Sequence, residues 1–335
     1  MAKTAFVTGG TGFIGSHLVE ALRQRGYGEV RCLVRTRLKW LDGLDIVPVR
    51  GAMDDLDRLR EAVHGVDYVY HIAGVTRGQR WEVFEQGNVI APLTLLRVIK
   101  EVNPTIKKVL ITSSLAAVGL AEERIADEET PLNPLTLYGR SKAAMERALA
   151  APAEDGIVYL KGLPVVVIRP PAVYGPREAD IYTFFKTVNT GLCPMIGSGT
   201  EPELSLVHVR DLVRGMIDAA ESDATTGQTY FLGSNEAYSW RQIKAATTAA
   251  LGKKALTVPV PRALVGVVGA AVEGISKLFG KYPPLNREKA REILDAAKIC
   301  SSEKAHRHFG YRQAVSLEEG VRETIAWYKA QGWLT

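Results

Sequence analysis

The sequence predicts an α/β protein built on a doubly wound parallel sheet, with a smaller C-terminal lobe. Three observations carry this. The first 175 residues alternate short Val- and Ile-rich runs with helical stretches, the pattern of right-handed βαβ units. A glycine-rich turn, TGGTGFIGSH, joins the first such run to the first helical stretch. Beyond Pro176 the texture becomes turn-rich, with scattered strands and helices, which places a second lobe over the C-terminal edge of the sheet.

The runs TAFVTG, VRCLV, IVPVRG, YVYHIAG, KVLITSS and VVVIRPP are bounded by Gly, Pro or Ser and read as strands. Helices are predicted between them over 17–25, 56–63, 89–100 and 141–150. Residues 1–175 are thus the sheet domain. LSLVHV, DLVRGMIDAAES and QTYFLG repeat the strand–helix–strand order, so 207–233 is expected to return to that domain. Residues 176–206 and 234–335 remain as the substrate lobe, with helices near 239–251, 262–279 and 317–330. The stretch 264–279, LVGVVGAAVEGISKLF, is interrupted by Glu273 and Lys277 and is too short to cross a bilayer. It reads as a buried or lid helix, with a helix lying on a membrane surface as the alternative, so any membrane contact is expected to be peripheral and weak.

Composition excludes several classes. The 335 residues are 46% hydrophobic, enough for a sizeable core. Lys and Arg (42) and Asp and Glu (37) are mixed along the chain without a basic block, so no nucleic-acid partner is expected. Cys32, Cys193 and Cys300 are far apart and form no CxxC, which argues against a zinc site and a disulfide framework and fits a reduced, cytoplasmic setting. MAKTAFVTGG contains no apolar stretch of signal-peptide length, so the chain is read as starting directly with structure. No metal is expected, because His208 has no partner histidine at a useful spacing and His306 and His308 read as solvated.

Glycines 9, 12 and 15 recur at every third position, and Gly10 adds a GxGxxG reading. Such a turn, after a strand and opening a helix, lets backbone approach a pyrophosphate at the helix N-terminus, the Rossmann arrangement. Thr11, Phe13 and Ile14 are interleaved with these glycines and belong to the same expected dinucleotide site. In NAD-binding proteins an acidic residue closes the second strand about twenty residues on. Here Val34 holds that place, and Arg35 and Arg37 follow. A carboxylate repels a 2′-phosphate, whereas an arginine fork grips it. NADP is therefore expected before NAD, with ordinary surface charge as the other reading of the two arginines.

In LYGRSKAAMERAL, Tyr138 and Lys142 stand four residues apart and would meet on one helix face. Free phenol titrates near ~10 and needs help to move a proton at neutral pH. A neighbouring ammonium supplies it. A solvated helix face is the plainer reading of the pair.

TGGTGFIG, Ser114 in ITSSLAAVG, YGRSK and IRPPAVYGP occur in that order. Together they resemble the extended short-chain dehydrogenase/reductase superfamily, the NAD(P)-dependent epimerase/dehydratase group, over nearly the whole chain. That group includes nucleotide-sugar epimerases and dehydratases, dihydroflavonol reductases and 3β-hydroxysteroid dehydrogenases. The resemblance implies that Tyr138 donates or accepts the proton at the substrate oxygen, and that Lys142 binds the nicotinamide ribose and keeps the phenol acidic. It implies that Ser114 hydrogen-bonds the same oxygen, with Ser113 as the fallback. Asn88, in FEQGNVIAPLTLL, matches the active-site asparagine position. Ala73 and Gly74 would line the cofactor, and the loop from Pro170 to Val173 would touch the nicotinamide amide. Related proteins dimerise through two helices per subunit, which makes 89–100 and 137–149 the candidate faces of a homodimer.

Two departures bear on the substrate. The family's acidic triplet after strand three is here Gly51, Ala52 and Met53, so an adenine contact is lost or comes from Asp54. Nucleotide-sugar members carry an arginine just before the VHV segment; here that residue is Leu204, leaving Arg177 or Arg210 to compensate. Tyr182, Phe184 and Phe185 suit an apolar substrate pocket or a core equally. The expected function is an NADP(H)-dependent oxidoreductase acting on an apolar, sterol- or flavonoid-like carbonyl or alcohol, closest to the dihydroflavonol reductase and 3β-hydroxysteroid dehydrogenase branch. A nucleotide-sugar epimerase or dehydratase that keeps its NAD(P) bound is the alternative. A non-catalytic NADP-binding scaffold is a third reading, but it would need none of Ser114, Tyr138 and Lys142.

Overall fold

The computed structural model describes residues 2–150, 162–196, 199–200, 203–261, 264–265, 287–296 and 298–335. Most of the helix predicted over 262–279 lies outside them. Strands β1 (Thr4–Thr8), β2 (Glu29–Val34), β3 (Val47–Arg50), β4 (Tyr68–His71), β5 (Lys108–Thr112), β7 (Val165–Arg169) and β11 (Thr229–Phe231) form one seven-stranded sheet. Their order is 3-2-1-4-5-7-11 and every pairing is parallel. Three short parallel pairs surround it. β6 (Ile125–Ala126) pairs with β13 (Ile299–Cys300), β8 (Ala172–Tyr174) with β10 (Leu206–His208), and β9 (Leu192–Ile196) with β12 (Leu256–Val260).

All six strands predicted for the first 175 residues are present. β4 and β5 are buried along their whole length, which is why they read as continuous apolar runs rather than alternating ones. On one face of the sheet, α1 (Phe13–Gln24) packs Leu18, Val19 and Leu22 with Val213, Met216 and Ile217 of α7 (Val209–Glu221). On the other, Leu59 and Val63 of α2 (Leu56–Val63) join Leu95 and Ile99 of α4 (Ala91–Val102) and Met145 of α5 (Leu137–Ala150).

Two helices begin earlier than the sequence predicts. α1 starts directly after Gly12, and α5 starts at Leu137, so Tyr138 sits in its first turn. α4 is preceded by the short α3 (Trp81–Glu85) and by a π-helical turn, Gln86–Ile90, that carries Asn88.

α7 lies against α1, and β11 joins the sheet beside β7, so the chain from 207 to 233 comes back to the central sheet. A separate core forms around α6 (Tyr182–Asn189), α8 (Trp240–Leu251) and the helix Leu317–Ala330, with Phe185, Val188, Met195, Ile243, Ile325 and Tyr328 at its centre. The aromatic group after the cofactor loop belongs to this core rather than to a pocket. Phe185 is buried, Tyr182 donates a hydrogen bond to the Trp333 carbonyl, and Phe184 packs on Trp240. All three cysteines are buried free thiols.

Candidate active site

The strand order reverses between β1 and β4, the topological switch point where open α/β sheets bind their ligands. Gly9 follows β1 with φ +75°, and a Cβ there would lie 2.6 Å from the Ala73 nitrogen at the end of β4. A Cβ on Gly15 would run into the Gly9 carbonyl, so this glycine lets α1 sit against the turn. Gly12 faces open space by comparison: its Cβ would meet only the Gly9 oxygen, at 3.3 Å. Gly12 is the N-cap of α1, with no side-chain cap bond and no acidic residue in the first turn. The helix thus offers free N–H groups and a positive dipole end. These features fit a dinucleotide pyrophosphate, with Thr11, Phe13 and Ile14 around the same helix start.

Arg35 and Arg37 are exposed beyond β2, and among the described residues no carboxylate pairs with either. Asp54 is exposed beyond β3, and it is Asp55 that caps α2 by accepting from Arg58 N–H.

At the far side of the switch point, α5 is pressed onto the turn that follows β5. A Cβ on Gly139 would collide with the Ala116 carbonyl oxygen, so only glycine lets this first turn approach so closely. The contact brings Tyr138 to Ser114. Ser114 caps the 3₁₀ turn Leu115–Ala117, its Oγ accepting from Ala116 N–H at 3.1 Å, and its hydroxyl hydrogen-bonds the Tyr138 phenol. Burial lifts the phenol above its ordinary value, the Ser114 bond pulls it down, and the Glu292 carboxylate pushes it up.

Lys142 is almost completely buried and donates from Nζ to the Thr112 carbonyl at 2.7 Å. Burial lowers the ammonium to about 8, with the Glu146 carboxylate opposing that shift. The vacant Cβ position of Gly74 lies 3.3 Å from Lys142 Nζ and 3.1 Å from Asn88 Oδ1, so the HIAG segment closes over the ammonium. The i,i+4 spacing suggested that Lys142 tunes Tyr138 directly. In the structure the groups acting on the phenol are Ser114 and Glu292, because the lysine is turned to the end of β5.

Asn88 is buried and fully engaged. Its Oδ1 accepts from Val75 N–H at 2.7 Å, and its Nδ2 donates to the Val75 carbonyl (2.8 Å) and to Ser141 Oγ (2.9 Å). Ser141 in turn donates to the Tyr138 carbonyl at 2.7 Å. The asparagine therefore ties the segment beside Ala73 and Gly74 to the first turn of α5. Pro170 is joined to the serine turn, since Leu115 N–H donates to its carbonyl at 3.0 Å, and Val173 lies in β8.

Beside the fallback serine, Ser113, stand Glu146, Arg169 and His71, which the sequence reading did not single out. Ser113 donates to Glu146, so it is not free to serve as a second active-site serine. Glu146 also forms a buried ion pair with Arg169, at 2.6 Å from NH2 to Oε2 and 3.1 Å and 3.0 Å from Nε to the two carboxylate oxygens. His71 is buried at the end of β4, within hydrogen-bond reach of Thr8 Oγ1 at 2.8 Å, and burial lowers it to about 3. Only Glu146 could have been noticed in the sequence, as the residue one further turn along α5 from Lys142.

Leu204 is half-buried and bridges to Tyr238. Both arginines that might replace it are paired with carboxylates. Arg177 donates to Ser16 Oγ (2.9 Å) and to Glu20 (2.6 Å) on α1 and lies over the Trp40 ring. Arg210 pairs with Glu319 and Glu323, each at 2.8 Å. His208 caps α7 by accepting from Arg210 N–H at 3.4 Å, and burial lowers it to about 4, so it is neutral near pH 7.

The sequence profile of the NAD dependent epimerase/dehydratase family matches residues 5–233. A ceramide reductase of Caulobacter vibrioides is 26% identical, over 98% of this chain and 95% of its own. A sterol demethylase protein B of Methylococcus capsulatus is 26% identical, over 99% of this chain and 100% of its own. A UDP-glucose 4-epimerase of Vibrio cholerae also matches, at 24% identity over 97% of this chain and 95% of its own. Among solved structures, gox2253 superposes with a TM-score of 0.80 at 26% identity, covering 99% of this chain and 100% of that one.

Proposed function

The chain belongs to the NAD dependent epimerase/dehydratase family, and from that premise we propose that it is an NADP(H)-dependent reductase or dehydrogenase of an apolar carbonyl or alcohol. It is an NAD(P)-dependent enzyme of the extended short-chain type. When bound, the nicotinamide supplies or accepts the hydride. The chain's own residues hold the reacting oxygen and move its proton. Tyr138 is the proton donor or acceptor, Ser114 holds the same oxygen and offsets part of the phenol's burial, and Lys142 grips the nicotinamide ribose. Asn88 is a positioning residue, acting through Val75 and Ser141. A bound NADP would meet Arg35 and Arg37 at its 2′-phosphate, the α1 N-terminus at its pyrophosphate, and Pro170–Val173 at its amide.

The observation that carries the substrate reading is the state of the arginines. A sugar diphosphate taken out of water needs paired arginine forks. Leu204 cannot provide one, and Arg177 and Arg210 are spent on carboxylates. The names of the ceramide and sterol relatives support an apolar substrate. The second reading, a nucleotide-sugar epimerase or dehydratase, has in its favour the UDP-glucose 4-epimerase relative. Saturation-transfer NMR on the NADP-loaded protein separates the two. Signals from sterol, sphingolipid or flavonoid ligands and none from UDP-sugars are expected; competitive UDP-sugar signals alone would reverse the assignment.

Calorimetric titration tests the cofactor. NADPH is expected to bind more tightly than NADH, and Arg35→Asp to lower NADPH affinity about tenfold or more while leaving NADH binding intact. Equal affinities in the wild type would remove the argument from Arg35 and Arg37. Pairing of two copies through α4 and α5 is part of the same proposal, with Ile90, 42% exposed, directly before α4; sedimentation velocity reads it directly.

A further inference from the structure

The β9–β12 ribbon sets Thr257 and Pro259 of β12 on the same side as Cys193 and Met195 of β9. Its inner face carries Cys193 and Met195, both buried in the second core. On its outer face the register sets Leu192 beside Leu256, Pro194 beside Val258 and Ile196 beside Val260. That face is open: Leu192 is 47% exposed, Leu256 69% and Val258 37%. A solvent-facing sheet surface ordinarily alternates to polar residues, and a contiguous apolar one marks an interaction site.

The surrounding charge gives a second, independent observation. Stretches 181–200 and 237–261, which include α6, α8 and both strands of the ribbon, contain no Asp or Glu. They do contain Lys186, Arg241, Lys244, Lys253 and Lys254, while Asp180, Glu201, Glu203 and Glu236 flank them. One of these cations is fixed at the end of the ribbon: Lys253 Nζ donates to Asn189 Oδ1 at 2.8 Å, just before β9, whereas Lys244, bonded to Thr257 Oγ1, lies on the inner side with Cys193.

From these two observations we infer that the outer face of the ribbon docks the protein reversibly on an anionic lipid surface. Leu192, Leu256 and Val258 would enter the boundary between headgroups and acyl chains, and Lys253 and Lys254, just before β12, would meet lipid phosphates. A second copy of this chain fits poorly. A two-fold contact would place the same patch against itself, with Lys253 and Lys254 of each copy at the ends of the paired ribbons. The docking does not depend on the substrate assignment, and its readout is separate from turnover.

The test is co-sedimentation of the full chain with phosphatidylcholine vesicles, with and without phosphatidylglycerol. The wild type is expected to sediment with the anionic vesicles and to be released by salt. Leu256→Asp with Val258→Asp, and separately Lys253→Glu with Lys254→Glu, are each expected to lower partitioning about tenfold or more. Unchanged NADPH binding and melting temperature in the charge-reversal pair serve as the folding control. Wild type remaining in the supernatant, or both variants sedimenting like wild type, overturns the proposal. So does a dimer, seen by sedimentation velocity without lipid, that Leu256→Asp dissolves, since the face would then belong to a second copy.

Discussion

At the scale of single residues, Tyr138 and Lys142 divide the work that their spacing seemed to give to one pair. The phenol is held by Ser114, and the ammonium is buried against Thr112 and closed over by Gly74. A lysine that titrates at about 8 when folded and at 10.5 when free changes stability with a definite sign. Between those values the unfolded chain binds more protons, so the penalty of burying the ammonium is present below about 8 and relieved as pH rises toward 10.5. Thermal melts of wild type against Lys142→Met are expected to converge across that window. The same loss of charge should weaken cofactor binding as pH climbs through about 8 in the wild type and leave Lys142→Met flat. A pH-independent affinity in the wild type would contradict the ribose role. The sequence made these side chains legible because i,i+4 spacing is local. It could not reveal that Glu292, from a distant helix, bears on the phenol, or that Ser113 is spent on Glu146.

At the scale of elements, α5 is the part on which the site depends. Its first turn is jammed against the Ser114 turn through Gly139, and its third is fixed to β7 by the Glu146–Arg169 pair. Gly139→Ala is expected to force the serine turn away from Tyr138 and lower kcat about 10²-fold or more, with cofactor affinity nearly kept; wild-type kcat would deny the close approach any role. Glu146→Gln leaves a guanidinium buried without its counter-charge. It should destabilise the protein by about 3–5 kcal/mol in chemical denaturation, and a change under about 1 kcal/mol would show the pair to be dispensable. Five of the six sheet strands were legible because buried parallel strands are plain Val and Ile runs; β3, an exposed edge strand with Pro48 inside it, was legible from its two valines. β9 and β12 were not, because Pro194 and Pro259 interrupt their pattern, and a two-stranded ribbon tolerates what a central strand does not. The early starts of α1 and α5 were hidden because glycines and a tyrosine, weak helix formers, occupy their first turns.

At the scale of the whole molecule, one crevice gathers segments remote in sequence. The turn after β1, the end of β4, the Ser114 turn, the α5 face and the loop after β7 all meet where the strand order reverses. That convergence follows from parallel topology, so the cofactor side of the site could be anticipated from motifs alone. The substrate side could not, because it depends on which arginines are already engaged, and only the packing of α1 against Arg177 and of the helix Leu317–Ala330 against Arg210 decides that. The central claim is net reduction of an apolar carbonyl with Tyr138 as acid, and transfer of a labelled hydride tests it most directly. Incubating the protein with NADPH deuterated at the transferable position and a panel of sterol, sphingoid and flavonoid ketones should give an alcohol carrying one deuterium, with matching loss of NADPH. Tyr138→Phe should slow this about 10²–10⁴-fold while still binding NADPH. Deuterium-free turnover of a UDP-sugar without net consumption of NADPH, or a Tyr138→Phe variant as active as wild type, would contradict the account.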